Sequence, residues 1–577
     1  MFKENRKHHQ PYLISNVNDL PEKQRKVLDA SWAGAFYREF FSRLDEHPFA
    51  ELYVDYPSRP NAPVNELVSL EYLKSAKGWT DEEMYHHYLF DVQTRYALGL
   101  HQLGDAHFEM RTIYNFRAYL SEYMQEKGIN LLDQAFEQVT DEQIAAFGLK
   151  TGKQRMDSTQ VASNIRQMGR VQLLVEVLQR VHRMLNEADQ ERFTEEFEPY
   201  LKGHAGQYVY RMKHEETGSH LQQIGEFMQS LLDELKLAYA DEPVYQVLER
   251  VFGEHFEVKQ TAVVTKSNEV LSATSLQSPD DLEATYRDKR GKSYKGYVAN
   301  VTETCDPENP LQLITKVQTA PNSIDDSQLL AEALPNLKER TDLNTIITDG
   351  GHGGPEADAI LQDQHVEHIQ TAIRGRNPSP DKLHLSDFII KLYEDGKPVK
   401  VTCPQGQTVA VQTSIQKKAF VAHFSAEACQ TCPLADKCLA RRGQRDGRYH
   451  LRFTQAEAYA SERRRRSQKH LEEGRNLRAA VEATVRSVKH PFPAGKIPVR
   501  GQFRVACMVI GSAAVSNVRR IQRYLEAKMR VEKQQNNTSD GMETAQEQPG
   551  VSFLDVARLA LKAFARLVQP SILCLDW

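Results

Sequence analysis

The strand-like segments of this 577-residue chain are short and lie far apart, and that spacing constrains the fold more than any other feature. Arg155-Met156-Asp157-Ser158-Thr159 reads as the close of a short strand. Tyr297 to Thr304 (YVANVTET) and Leu311 to Thr319 (LQLITKVQT) alternate in the strand manner. Asn344 to Thr348 (NTIIT) is a short apolar strand that ends in the loop Asp349-Gly350-Gly351-His352-Gly353-Gly354. A helical block from about residue 160 to 255 separates the first strand from the others, and residues 25–150 show helical periodicity with aromatics spaced for a core. Within the latter, Thr140-Asp141-Glu142-Gln143 looks like a helix start with an acidic first turn. A mixed α+β or α/β multidomain chain is expected, and at roughly 150 residues per domain the length suits three or four domains.

Composition excludes some classes. No run approaches the roughly 20 apolar residues of a membrane span. The opening MFKENRKHHQ has no apolar core after it, so it does not read as a secretory signal. Seven cysteines, an odd number in a long chain, argue against a disulfide scaffold and for a reducing, cytoplasmic setting. The net charge of −5 conceals an asymmetry: residues 440–530 carry 22 Lys and Arg against 7 Asp and Glu, so +15, which leaves −20 for the rest. A basic segment of that density is the footprint of a polyanion-binding surface. Four consecutive arginines, Arg463 to Arg466, crowd one another unless something anionic meets them.

Three acids stand out by context: Asp157 at a strand end, Asp349 before a glycine-rich turn, and Glu482 in the helical RNLRAAVEATVRSVKH. Two-metal phosphoryl chemistry needs carboxylates converging from separate elements onto a pair of hard cations, and Mg²⁺ prefers such oxygen ligands. On a helix, Arg475, Arg478, Glu482 and Lys489 fall at about 0°, 300°, 340° and 320°, an arc of roughly 60°. A solvated ion-pair stripe usually alternates in sign. One acid among three cations instead suits a metal ligand flanked by phosphate binders. Arg374 and Arg376 sit in a turn after the strand-like VEHIQTAI and are further phosphate candidates. Lys316 lies on a strand with its direction open, and His352 could orient a water, although a lone loop histidine is more often a bystander. Neither a Walker loop nor a dinucleotide fingerprint appears.

Cys429-Gln430-Thr431-Cys432 is a CxxC, Cys438 follows, and Cys403 supplies a fourth thiolate, the donor set of a structural Zn²⁺ site, with His423 a substitute for Cys403. Free thiols or a redox CxxC are the alternatives. Cys305, Cys507 and Cys574 read as ordinary small apolar residues.

The order MDST, IITDGG, RNLRAAVEATVRSVKH resembles the DDE transposases of bacterial insertion sequences, closest to the group whose third motif is Tyr, two residues, Arg, three residues, Glu, six residues, Lys. Arg478, Glu482 and Lys489 match that motif, Asp157 and Asp349 match the first two acids, and Arg475 stands where the motif has Tyr. The resemblance spans about residues 30–520 and implies a ribonuclease-H-like mixed sheet holding the three acids, with two insertions. The implied domains are a helical DNA-binding or dimerisation domain (1–150), a catalytic domain (151–520) with a helical insertion (160–255) and a cysteine-bearing one (375–460), and C-terminal helices (521–577) with a disordered linker (531–552). It further implies cleavage at the element's ends and strand transfer into target DNA. Two Mg²⁺ ions would be held by Asp157, Asp349 and Glu482, with Mn²⁺ able to substitute. Expected partners are double-stranded DNA, both terminal inverted repeats and target, and a second copy of the chain in the DNA complex. The expected location is the bacterial cytoplasm, on the nucleoid when DNA is bound. The rival readings are an inactive or domesticated relative that only binds DNA, a ribonuclease-H-like nuclease without strand transfer, and a zinc-stabilised interaction protein.

Overall fold

The computed structural model describes residues 1–544 except 11–14, 58, 103, 106, 107, 261, 290, 373–378, 380, 394, 395, 415–418, 445 and 473–476. The chain divides into two units, residues 1–521 and 522–577. Mixed helix and sheet follow a helical N-terminal region, and among the described residues no helix is long and apolar enough to cross a membrane.

The N-terminal region is built around the Val64–Lys77 helix, in which every residue from Val64 to Ala76 is buried. Two of its charged residues form ion pairs, Lys74 with Asp81 at 2.7 Å and Glu71 with Arg117 at 2.8 Å, while Glu66 meets the Tyr88 hydroxyl at 3.2 Å. Gly78, at φ +69°, ends this helix in the left-handed conformation that glycine adopts without strain. The next helix, Asp81–Phe90, opens with a reciprocal cap: the Thr80 hydroxyl accepts from Glu83 N, and the Glu83 carboxylate accepts from Thr80 N. The Leu131–Phe147 helix corrects the helix start expected at Thr140. Asn130 caps it ten residues earlier, and the run continues through Thr140, which is buried. Asp141 does not serve a helix N-terminus; it pairs at 2.7 Å with Arg340, distant in sequence.

The central sheet begins with β1 (Lys153–Val161). Helices follow, among them Arg170–Met184, Thr217–Tyr239 and Pro243–His255, closed by the hairpin β2 (Phe256–Lys259) and β3 (Ala262–Thr265). They enclose their own core, including Leu174, Leu178, Ile224, Met228, Leu231 and Leu248. The chain then returns with β4 (Thr285–Lys289), β5 (Lys292–Thr304), β6 (Ile314–Pro321), β7 (Thr345–Thr348) and β8 (Glu367–Gln370). β5 runs antiparallel to β1 on one edge and to β4 and then β6 along the other. β7 is parallel to β1, and β8 is parallel to β7. Across the sheet the order is therefore β6, β5, β1, β7, β8, with β4 extending the β6 edge.

This sheet is covered on both faces. Met156 and Ile346 pack with Leu330, Leu334 and Leu337 of the Asp326–Arg340 helix and Ala357 and Leu361 of the Pro355–Asp363 helix. On the other face Tyr297, Ala299 and Val301, at the two-residue strand period, join Val485, Val505, Val509 and the N-terminal helices in one cluster. Val298 points the other way, against Leu329.

A second sheet follows: β9 (Ile389–Leu392), β10 (Pro398–Thr402), β11 (Thr408–Ser414), β12 (Ala419–Phe424), β13 (Arg441–Arg442) and β14 (Tyr449–Phe453), in the order β13-β14-β12-β11-β10-β9. Its core is smaller: Phe388, Ile390, Val401, Ala422, Phe424, Leu451 and neighbours. The helices Gln455–Glu472, Ala479–Lys489 and Gln502–Thr544 complete the described chain. The last is helical over residues 531–544, the first part of the segment expected as a disordered linker, whose Glu, Lys and Gln content is compatible with helix. Residues 545–552 and the rest of the expected C-terminal helices, to residue 577, lie outside the described residues.

Candidate active site

Along β1, successive side chains alternate between faces. Met156 joins the helix-covered core, so Arg155, Asp157 and Thr159 share the opposite face. The Ala479–Lys489 helix lies along that face because Val481, Val485 and Val488 form a buried stripe at three- and four-residue spacing. Polar contacts fix its position at three places. Arg155 Nη1 donates to Leu477 O at 2.6 Å. Arg478 Nη2 lies 3.3 Å from Asp157 Oδ2. Lys489 Nζ donates to Thr159 Oγ1 at 3.2 Å and to Gln160 O at 2.7 Å. Arg478 also reaches Glu482 Oε1 at 3.5 Å. One guanidinium thus stands between the first and third acids named from the sequence. Glu482 is the exposed member, its side chain 62% accessible against 10% for Asp157.

Asp349 follows the last residue of β7. The parallel register pairs Arg155 with Ile347; Asp157 and Asp349 each follow two residues beyond that pair, and the charge of Asp349 acts on Asp157. The Asp349 carboxylate accepts from Gly351 N at 2.8 Å and from His352 Nδ1 at 2.8 Å. Its backbone carbonyl accepts from Gln370 Nε2 of β8 at 3.2 Å. The glycine at 351 is needed for space: a Cβ there would lie 2.7 Å from Asp326 Oδ2 and 3.0 Å from Asp349 Oδ1.

The two aspartates titrate in opposite directions. Burial pushes the Asp157 carboxyl up, Arg478 opposes this, and the Asp349 charge adds to it. Burial would also raise Asp349, yet the His352 hydrogen bond and charge, the Gly351 amide and Arg478 outweigh it and hold that carboxyl well below the usual range. Neighbouring carboxylates of this kind gain from a cation placed between them.

Beneath the acids lies a buried ion network. Glu303 of β5 is fully buried. Its Oε1 accepts from Arg155 Nε at 2.6 Å, and its Oε2 from Arg520 Nη1 at 2.7 Å and Thr484 Oγ1 at 2.6 Å. Arg155 is two residues before Asp157, and Thr484 two after Glu482, so this carboxylate ties the strand of the first acid to the helix of the third. With three hydrogen bonds and two cations its charge is compensated, the condition for a buried carboxylate to persist.

The other candidates divide. Lys316 turns away from the acids and pairs with Glu137 at 2.6 Å. The anions that meet the arginine run are internal: Arg463 pairs with Asp358, and Arg465 and Arg466 with Glu462. His352, read as a bystander, is fully buried and holds Asp349. Arg475, Arg374 and Arg376 lie outside the described residues. Sequence reasoning missed Glu303 and Asp326. The sequence signal for Glu303 was an acid near the end of the strand-like run YVANVTET.

Among the described residues, two groups of three donors have ligand atoms within 4.8 Å of one another: Asp326, Asp349, His352 and His423, Asp446, His450. Asp157 and Glu482 belong to neither group; the oxygens of Asp157, Asp349, Glu482 and nearby Asp326 are the donor type that a hard cation of the Mg²⁺ class takes, and Arg478 stands between Asp157 and Glu482. The cysteines fit their expected ion less well. Cys403, Cys429 and Cys438 pack on the edge of the second sheet's core, and burial, then the neighbouring Cys438, Cys403 and Cys432, push the Cys429 thiol up. Yet no three of these sulfurs form such a close group, whereas Zn–S bonds of about 2.3 Å require S–S separations under about 4 Å. His423, offered as a substitute for Cys403, is engaged elsewhere, with His450 and Asp446.

Comparison with known proteins adds one finding. The model of a family described as a transposase DDE domain matches residues 402–522, about a fifth of the chain. The match includes Arg478, Glu482 and Lys489 and the four clustered cysteines, and excludes Asp157 and Asp349. No curated protein and no solved structure matches the chain.

Proposed function

We propose that the chain is a DDE-type DNA transposase, in which Asp157, Asp349 and Glu482 form one catalytic centre on a ribonuclease-H-like sheet. The observation that carries this reading is the double contact of Arg478 with Asp157 and Glu482, at the edge where Asp157 and Asp349 each follow the paired β1–β7 register by two residues. The sheet order, with one antiparallel strand between β6 and β1 and two parallel strands beyond, supports the ribonuclease-H-like assignment. The family match over the third acid supports the transposase assignment, and so do the distances from Asp157 to Asp349 and from Asp349 to Glu482, each filled by a separately cored insertion.

When bound, a pair of Mg²⁺ ions would supply Lewis-acid activation of the attacking oxygen and charge stabilisation at the leaving 3′ oxygen. The chain's own residues do the rest. Asp157 and Asp349 are rigid, one inside a strand and the other tied by Gly351, His352 and Gln370. Glu482 is exposed and has the reach to close on the site. Arg478, within reach of both carboxylates, would be placed to meet a substrate phosphate, and Lys489 stands eleven residues, about three turns, further along the same helix face. The first nucleophile is water and the second a DNA 3′-hydroxyl; no covalent protein–DNA intermediate is required. The same reading assigns DNA-end binding or protomer contact to residues 1–150, double-stranded DNA as partner, a dimer in the DNA complex and a place in the cytoplasm.

The test is strand transfer. A DNA bearing the sequence that flanks this chain's own gene, pre-cut to expose 3′ ends, is incubated with the protein, Mg²⁺ and a plasmid. Joined products support a transposase. Cleavage of uncut ends without joining supports a nuclease, and end binding without either supports a binding-only relative.

A further inference from the structure

We infer that the second sheet carries a transition-metal site of its own, formed by His423, Asp446 and His450, distinct from both the carboxylate centre and the cysteines. The inference is independent of the transposase reading. His423 and His450 are direct cross-strand partners on β12 and β14, so their side chains leave the sheet on one face. Their rings stand 4.5 Å apart at 78°. Asp446 comes from the turn between β13 and β14, closed by the hydrogen bond from Gly443 N to Arg448 O at 2.8 Å. His450 Nε2 lies 2.9 and 3.0 Å from the two Asp446 oxygens. One donor atom from each of the three residues comes within 4.8 Å of the other two.

Two further observations point to a ligand rather than to a simple ion pair. His423 Nδ1 is buried and has no hydrogen-bond partner, a condition that most buried ring nitrogens avoid. The backbone also leaves room at the donors: a Cβ at Gly443 would lie 2.6 Å from His450 Nε2 and 2.5 Å from Asp446 Oδ1. Burial, followed by the charge of His450, pushes the His423 imidazole down.

Two imidazoles and one carboxylate are the donor set of Zn²⁺ and its neighbours Co²⁺ and Ni²⁺, and three protein donors leave a fourth position open. A hard cation such as Mg²⁺ would be drawn to the oxygen set at Asp157 and Asp349 instead. Arg448 and Arg452 lie within electrostatic reach of His423, so a cation enters only with the Asp446 charge present. An ion here would staple the two-residue edge strand β13, and the cysteine-bearing segment that precedes it, to the body of the sheet.

The full-length protein, stripped with a chelator, is titrated with Co²⁺ and followed by its visible absorption and by metal content. With excess Mg²⁺ present to hold the carboxylate centre, one equivalent without a thiolate-to-metal charge-transfer band is expected. Its affinity falls at least tenfold in His450→Ala and in Asp446→Asn and is retained within a few-fold in Cys432→Ser. His423→Cys tests the geometry, since a thiolate in place of the imidazole keeps the ion and introduces the charge-transfer band. Circular dichroism of each variant checks that the sheet is intact. Equal Co²⁺ stoichiometry and affinity in wild type, His450→Ala and Asp446→Asn would overturn the proposal, as would bound Co²⁺ that always shows thiolate ligation and vanishes in Cys432→Ser.

Discussion

The two six-stranded sheets of this chain solve different problems. In the central sheet β7 is buried along its whole length and β5 over its last nine residues, with apolar cover on both faces. In the second sheet β12 alternates buried and half-buried residues and β11 has no buried residue, so cover is one-sided. A strand buried on both faces holds a polar side chain in one orientation and makes every unpaired charge costly. That is why the central sheet meets Glu303 with two cations and Asp349 with His352 and the Gly351 amide, and why the proposed chemistry belongs there. A one-sided sheet leaves its outer face free for ligands, and there His423 and His450 emerge.

Substitutions test the contrast most strongly at the buried network. Glu303→Ala leaves Arg155 and Arg520 without their shared carboxylate, and urea unfolding should register a loss of about 3–5 kcal/mol. The exposed Thr413→Ala on β11 should stay within about 0.5 kcal/mol. If the two losses are similar, the difference in burial between the sheets does not govern stability. At the apolar level, Leu334→Ala opens a cavity under the central sheet and should cost about 2–5 kcal/mol, while Val411→Ala, half-buried on the second sheet, should cost about 1 kcal/mol.

The paired aspartates offer a finer distinction, because their linkage signs differ. The folded-state pKa of Asp349 lies below its unfolded value, so its contribution to stability is complete above about pH 4 and is lost as pH falls through the folded value. Asp157 is raised in the folded state, so ionising it costs stability as pH rises above about 4. In metal-free buffer at pH 7, Asp349→Asn should destabilise and flatten the acid limb, and Asp157→Asn should stabilise or be neutral. Losses of the same sign and size in urea midpoints from pH 2 to 7 would show that the two carboxylates share one environment.

The smallest effect on metal binding is expected at Arg478. Removing the guanidinium in Arg478→Ala should leave Mn²⁺ binding equal to wild type or modestly tighter, since a competing cation is gone, although DNA cleavage falls by about 10–100-fold. Weaker Mn²⁺ binding in that variant would mean that Arg478 organises the acids rather than standing in for a cation.

Much of this arrangement was legible in the sequence because it is local. The strand around Asp157, the short apolar run before Asp349 and the valine stripe beneath Glu482 each declare themselves within about ten residues. What was not legible depends on partners far along the chain. Glu303 is explained only by Arg155 and Arg520, Asp141 only by Arg340, and Lys316 only by Glu137. Thr140 looked like a cap because capping is a local signal, whereas its hydroxyl is buried near Asn517. The arginine run looked unpaired for the same reason: Asp358, which meets Arg463, lies about a hundred residues earlier. His352 gave no signal beyond a histidine among glycines, and its role follows from the turn that folds it back onto Asp349.

The central claim is that Asp157, Asp349 and Glu482 act as one centre. Its most direct test is Mg²⁺-dependent cleavage of DNA carrying the gene's own flanking sequence, by wild type beside Glu482→Gln. The exposed position of Glu482 makes loss of folding an unsuitable explanation for loss of activity, and end binding measured in the same samples controls for it. Cleavage that disappears in the variant while binding persists is the predicted result. Equal cleavage by both proteins would contradict the account.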